Sequence, residues 1–320
     1  MSMFTLAAQD AMEYLMQTSG GGSQDQEHRV LRAALHHAYR DVCSIKDWLW
    51  HISEGNITTV AGENTYLLPV DCKNVDAISL PDQTTTTSYV TPAEWLRLEQ
   101  NDLTLGFPVW WTVSRSTDPA KYDRWVLKIA GRLPAGTFLR FTYRRTPSPL
   151  SLMGYESYCR TGQVTVTGNK VYGTNVNFPT RCEGAIFRVG TPANVPESLA
   201  GFYPYLAQSK IASRDSSTEL TLEDDLGAYP LSKYVISDHL DMSNQMYSAL
   251  LSGTEVYLAR LMGKNVEGAT GLYQRDLKSA MEGDVLAPIS GRRAPYDRTP
   301  DSPGPNYAGS NSYGPDGGTA

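Results

Sequence analysis

The chain has 320 residues, a formal net charge of −6 and four cysteines. That length can bury a sizeable core in two or three domains, and the mild acidity argues against a surface built to grip a nucleic-acid backbone, although nucleic acid can pass an acidic wall without being held. Cys43, Cys72, Cys159 and Cys182 are scattered with no CxxC pair, which argues against a zinc site or redox pair and predicts free, buried thiols in a reducing compartment.

The first segment, "MSMFTLAAQDAMEYLMQ", has helical period, lacks a basic leading region and carries Asp10 and Glu13, so it does not read as a signal peptide. No apolar run approaches the ~18 residues of a membrane span, which predicts a chain made in the cytoplasm with no membrane partner. After a Gly/Ser break at 20–23, a second helix is expected over Asp25–Trp50. Leu31, Leu35, Ala38, Val42, Ile45 and Leu49 alternate steps of four and three and so share one stripe. At 1.5 Å per residue that helix would be roughly 38 Å long, and its stripe needs another long helix to cover it.

The period then changes to short alternating runs. "NITTVAGENTYLLPVDCKNVDAISL" has turn signals at 61–64 and at Pro69, which suggests strands joined by tight turns. "TPAEWLRLEQ" is a short helix in which Thr91 caps, Pro92 takes the first helical position and Glu94 completes a capping box. Strands resume in "PVWWTVSRS", "RWVLKIAG" and "GTFLRFTYRR", with Trp110 and Trp111 on opposite faces of one strand. Pro147 and Pro149 stiffen the exit.

The next module, "VTVTGNKVYGTNVNFPTRCEGAIFRVG" (164–190), reads as three strands cut by Gly and Asn turns, and "TELTLED" adds a clean two-residue alternation. Helical period returns over Ser237–Met262, with Tyr247, Leu250, Tyr257 and Leu261 on one stripe, and again in "NVEGATGLYQRDLKSAMEGD". The tail is dominated by Pro, Gly, Ser and Asn and supplies no core, yet Tyr296, Tyr307 and Tyr313 recur in it as residues able to dock on a neighbour.

The expected fold is therefore α+β: a helical bundle formed by the N- and C-terminal helices, with a looped-out β-domain and a second small inserted β-domain. The expected boundaries are 1–55 for the N-terminal helices, 56–150 for the β-domain with its short helix, 151–235 for the accessory β-domain, 236–286 for the C-terminal helices and 287–320 for a flexible or docking tail.

Nothing in the pattern supplies catalytic chemistry. His36 and His37 are adjacent and point about 100° apart on a helix, with no HExxH arrangement. Glu223-Asp224-Asp225 resembles a turn and not a calcium loop. There is no GxSxG elbow, and "TGNKVYG" lacks the order of a phosphate-binding loop. No catalytic, cofactor or metal residue is assigned, and no enzymatic activity is expected. The aromatic content is more telling. Six Trp and nineteen Tyr, with Trp48 and Trp50 closing the second helix and Phe202, Tyr203 and Tyr205 in a Pro-containing connection, favour a large subunit contact.

The order of "RAALHHAYRDVCSIKDWLW", "TTVAGENTYLLPVDCKNVDAISL", "TPAEWLRLEQ", "GFPVWWTV", "WVLKIAGRLPAGTFLRFTYRRTPSPL" and the returning "SALLSGTEVYLARLMGKN" resembles the head-to-tail adaptors of tailed bacteriophages, also called connectors or tail tubular proteins. It covers residues 24–150 and 237–282, and the module at 162–227 looks like an accessory domain present in only some adaptors. The resemblance implies a structural ring subunit of the virion at the head–tail junction. The implied ring is a homo-oligomer, usually of twelve copies, stacked under the portal protein and meeting a tail or nozzle protein below, while DNA passes through the channel without sequence-specific binding. On that reading Arg29, Arg32 and Arg40 would face a neighbouring bundle. Trp110, Trp111, Arg140, Arg144 and Arg145 would form a tail-facing surface, and Arg292, Arg293 and Tyr296 would reach the portal in an extended arm. The alternative is a virion decoration or tail-fibre-associated protein that binds through the 162–227 module. Such a protein would not need paired helices at both ends.

Overall fold

The computed structural model describes residues 5–19, 25–80, 87–100, 109–118, 124–130 and 133–286. Helices α1 (Ala8–Ser19) and α2 (Asp25–Ser44) from one end of the chain pack with α5 (Tyr247–Leu261) and α6 (Glu267–Leu286) from the other. Leu31, Leu35, Ala38 and Val42 of α2 are buried against Ala11, Met12 and Leu15 of α1, Ala249 and Leu250 of α5, and Leu277 and Ala280 of α6. The apolar stripe read from the sequence is thus covered by the returning helices.

Two helix limits differ from expectation. α2 stops at Ser44, six residues before Trp50, and so spans about 30 Å. Beyond it the chain bends so that Trp48 enters the core. Its indole N–H donates to the Val42 carbonyl at 2.9 Å, satisfying one of the acceptors a helix end leaves open, and its ring stacks on Trp50 at 4.6 Å. Ile45 and Leu49, counted above as part of the stripe, are therefore exposed. At the other end α5 begins at Tyr247, because Tyr234–Ser237 is a strand and the segment between them carries polar links to α1. Leu261, at the end of α5, is half exposed.

The first β-body contains β1 (Ile52–Thr58), β2 (Thr65–Leu67), β3 (Cys72–Ser79), β4 (Thr87–Tyr89), α3 (Pro92–Gln100), β5 (Val109–Arg115), β6 (Trp125–Ala130) and β7 (Phe138–Arg145). The strands form two sheets, β1-β7-β3 and β2-β6-β5-β4, with only β4 and β5 parallel. Val75, Ile78, Leu139 and Phe141 of the first sheet share a core with Val109, Trp111, Leu127 and Ile129 of the second, so the body is a small sandwich. The turn at 61–64 exists, but the strands on either side of it do not pair. β1 joins β7 and β2 joins β6, so the turn carries the chain from one sheet to the other. Gly55 lets β1 pass the Phe141 ring, where a Cβ would sit 2.3 Å from a ring carbon. The expected capping box on α3 is formed: Thr91 Oγ1 accepts from the Glu94 N–H, and the Glu94 carboxylate accepts from the Thr91 N–H at 3.0 Å.

The second β-body follows a short helix, α4 (Ser157–Arg160). It comprises β8 (Gln163–Thr167), β9 (Lys170–Thr174), β10 (Ile186–Val189), β11 (Ala207–Arg214), β12 (Glu219–Leu222), β13 (Ala228–Ser232) and β14 (Tyr234–Ser237). Their order is β13-β8-β9-β12-β11-β10-β14. The two outer strands are separated in sequence only by Lys233, and neighbouring residues can occupy both edges only if the sheet curls round. The body is a curled, barrel-like antiparallel sheet with β13 and β14 as its edges. Val164, Val166, Val171, Phe187, Leu220, Tyr234 and Ile236 fill its interior. All four cysteines are free and buried.

Candidate functional site

β10 and β14 are buried on both faces, which marks the side by which the barrel is mounted. Phe187, Val189, Tyr234 and Ile236 point into the barrel, and by alternation Arg188, Val235 and Ser237 point out toward α1. Arg188 is 1% exposed. Its two terminal nitrogens each lie 2.7 Å from an oxygen of Asp10. Nη1 also donates to Gln9 Oε1, Nε donates to Gln208 Oε1, and the guanidinium lies 4.5 Å from the centre of the Tyr205 ring. Gln9 Nε2 donates to Glu13 Oε1 and to the Pro196 carbonyl, and Glu13 Oε2 accepts from the Ser198 N–H at 2.7 Å. A buried charge is tolerated where it is paired and its donors are used, and a planar guanidinium meets a carboxylate in a two-point contact. Backbone bonds close the seam, from Ala8 N to the Asp238 carbonyl and from Leu240 N to the Leu6 carbonyl.

Two further titratable groups, Asp238 and His239, lie in this seam. The Asp238 carboxylate accepts from the N–H groups of Ser151 and Leu152. Burial raises its pKa, against the lowering effect of those hydrogen bonds. Beside it, burial and the Lys210 charge push His239 down to about 4.

The sandwich is mounted differently. Arg145 Nη2 pairs with Asp241 and reaches the Trp50 carbonyl. Arg144 Nε lies 3.2 Å from Asp76, and its Nη1 donates to the Asp47 carbonyl. Lys46 pairs with Asp284 at 2.7 Å, and Lys73 pairs with Asp47 at 2.7 Å. Asp241 is buried, whereas its Arg145 side chain is 29% exposed. His51 is buried near Asp241, and burial lowers its pKa.

The residues singled out in the sequence do not converge on one place. Arg32 pairs with Glu156 at 3.1 Å and donates to the Ser151 carbonyl, within its own chain. Arg29 is exposed beside it, lining with His28, Tyr155 and Met153 a shallow pocket of about 290 Å³. Arg40 is exposed further along α2, and neither Arg29 nor Arg40 makes an ion pair among the described residues. Trp111 is buried with its ring edge-on to Tyr89 at 5.0 Å, while Trp110 is half-buried on the opposite face of β5. Arg140 is exposed on β7, whereas Arg144 and Arg145 are taken up at the sandwich root. Arg292, Arg293 and Tyr296 lie outside the described residues.

Among the described residues, the most exposed large apolar side chain belongs to the aromatic connection noted in the sequence. Phe202 is 93% exposed, flanked by Leu199, Tyr203 and Leu206, all more than half exposed. Its loop is fixed: the Glu197 carboxylate accepts from the N–H groups of Phe202 and Tyr203, and Glu197 N donates to the Tyr203 carbonyl at 2.7 Å. A loop already held in place loses less freedom if it makes a contact.

Among the described residues no group of three or more His, Cys, Asp or Glu is placed to hold a metal ion, and no helix is long and apolar enough to cross a membrane. A family model described as SU10 adaptor protein matches residues 4–158, which takes in α1, α2 and the sandwich and ends within α4. No curated protein matches the chain. The matched stretch, residues 4–158, holds the first two bundle helices and the looped-out sandwich; over it the chain belongs to the SU10 head-to-tail adaptor family of tailed phages, and that family identity supports a structural connector role.

Proposed function

We propose that this chain is one subunit of a closed ring of about twelve copies that joins the portal protein to a tail or nozzle protein and leaves an open path for DNA. The observation that carries the reading is the family match over residues 4–158, which spans α1, α2 and the sandwich together. A ring closes when each subunit offers two different faces to its neighbours. The exposed face of α2 with Arg29 and Arg40 suits a neighbouring bundle, and the outer sandwich with Arg140 and Trp110 suits the tail component. The anchored Phe202 loop is a further contact, and the arm carrying Arg292, Arg293 and Tyr296 serves the portal side. Arg32, Arg144 and Arg145 hold the subunit's shape, and Trp111 belongs to the sandwich core. With a net charge of −6, DNA passes the ring without sequence-specific contact.

The native mass of the purified chain, alone and mixed with its portal, tests this reading. A closed assembly of about twelve copies, formed alone or on the portal, is the expected result. A trimer, or a monomer indifferent to the portal, would overturn it.

A further inference from the structure

Where α2 ends, the bundle, the entry to the sandwich and the segment after β14 meet around one carboxylate. Tyr39 and Cys43 stand one turn apart on α2, His51 leads directly into β1, and Asp241 follows β14. Tyr39 is 3% exposed, and His51 and Asp241 are 4% exposed each. Asp241 is an electrostatic neighbour of Tyr39, Cys43 and His51 alike, and its main chain borders both the Tyr39 hydroxyl and the His51 ring. The Trp50 ring stands edge-on to His51 at 5.5 Å.

Arg145 Nη2 holds Asp241 by Oδ1. The second oxygen, Oδ2, meets no hydrogen-bonding group among the described residues, and the same is true of Tyr39 Oη, His51 Nε2 and Trp50 Nε1, all of them shut off from bulk solvent. Buried polar atoms are met either by the chain or by an ordered water. The barrel seat around Arg188 has no such atom among the described residues.

The chemistry of the four atoms selects what binds between them. Burial raises the Tyr39 pKa and lowers that of His51, so the phenol keeps its proton and the imidazole is neutral. Tyr39 O–H and Trp50 N–H then have protons to give, while Asp241 Oδ2 and the unprotonated His51 nitrogen have lone pairs to offer. A water donates twice and accepts twice, which matches this set. An anion is opposed by the Asp241 charge. An indole N–H cannot ligate a metal, and no three His, Cys, Asp or Glu among the described residues are placed to hold one.

We propose that Tyr39, Trp50, His51 and Asp241 form a closed site for one internal water, which links the last turns of α2 and the entry to β1 to the Asp241–Arg145 pair. The sandwich root is then joined to the bundle partly through water, whereas the barrel seat is joined by direct contacts alone. The inference concerns the single chain and holds or fails whatever the assembly.

A crystal structure of the full chain that shows ordered water tests it. The expected result is one water within hydrogen-bond distance of Tyr39 Oη and Asp241 Oδ2, and of His51 Nε2 or Trp50 Nε1. A direct bond between Tyr39 and Asp241, the anomalous signal of a metal, or no density between the four atoms would overturn the proposal. In solution the Trp50 indole N–H, assigned by the loss of its signal in Trp50→Phe, should show cross-relaxation with a long-lived water. The transfer should persist in Tyr39→Phe, which removes the hydroxyl proton that could imitate it. No transfer in the unaltered chain, or transfer lost with the hydroxyl, refutes the site.

Discussion

The barrel and the sandwich hang from the same helical body by opposite means. The barrel is seated through one nearly inaccessible arginine whose donors are met by Asp10, Gln9 and Gln208. The sandwich is tied through several partly exposed pairs led by Arg144 and Arg145. A buried pair costs little while intact and much when one partner is lost, whereas exposed pairs contribute little either way. The barrel joint should therefore hold rigidly or fail outright, and the sandwich root should yield gradually. The family match ends at residue 158, before β8 begins. The seat residues Gln9, Asp10 and Glu13 thus lie inside the matched stretch, while Arg188, Ser198 and Gln208 lie beyond it. The barrel supplies Arg188, and α1 supplies the Asp10 carboxylate that receives it.

The sharpest way to break this contrast is Arg188→Met, which strands Asp10 in the seam. We expect a loss of about 3–5 kcal/mol in urea unfolding, with the barrel becoming protease-sensitive before the bundle. Adding Asp10→Asn should recover part of the loss, and a double-mutant cycle with no coupling would show that the two residues do not act as a pair.

Next in size is the effect of pH. Folding lowers the His239 pKa from 6.5 to about 4, so its contribution is complete above about 6.5 and is lost as pH falls toward about 4. At most this is on the order of 3 kcal/mol. Asp238, whose pKa burial raises, acts in the opposite sense and offsets part of the loss as pH falls. His51 at the sandwich root shifts in the same direction as His239. Melting curves of His239→Gln and His51→Gln between pH 4 and 7, as a rough window around the imidazole range, separate the joints. His239→Gln should flatten the acid slope more than His51→Gln, and the reverse order would place the sensitive joint at the sandwich.

At the sandwich root, Arg145→Ala leaves Asp241 buried and unpaired and should cost about 2 kcal/mol. Arg144→Ala, whose partner is more exposed, should cost less than about 1 kcal/mol. Equal losses at the two positions would contradict the difference in burial. The smallest stability effect belongs to Phe202→Ser, within about 0.5 kcal/mol, while ring formation measured by native mass should weaken.

Much of this architecture was legible in the sequence where local chemistry and tertiary packing agree. The 3.6-residue stripe of α2, the Thr91–Glu94 capping box and the two-residue alternation near Glu219–Leu222 depend on short-range geometry alone. The end of α2 was not legible, because Ile45 and Leu49 continue the helical spacing while the actual stop is set by Trp48 turning back onto Val42. The turn at 61–64 was legible, but its strands belong to different sheets, and that follows from long-range pairing. Arg144 and Arg145 looked like free surface charge because their partners Asp76 and Asp241 are far away in sequence. For the barrel mount a signal did exist: Arg188 is a lone charge inside the apolar run "AIFRVG", and a charge within a doubly buried strand requires a partner. Asp10 and Glu13, which argued against a signal peptide, are the acids on α1 that the barrel side uses.

The most direct measurement is an image of the head–tail junction of the virion with this chain located by a label on the exposed barrel turn at 223–225. The label should form a ring between portal and tail, repeated once per subunit. Labels found along fibres, on the capsid surface or as isolated copies away from the junction would contradict the adaptor role.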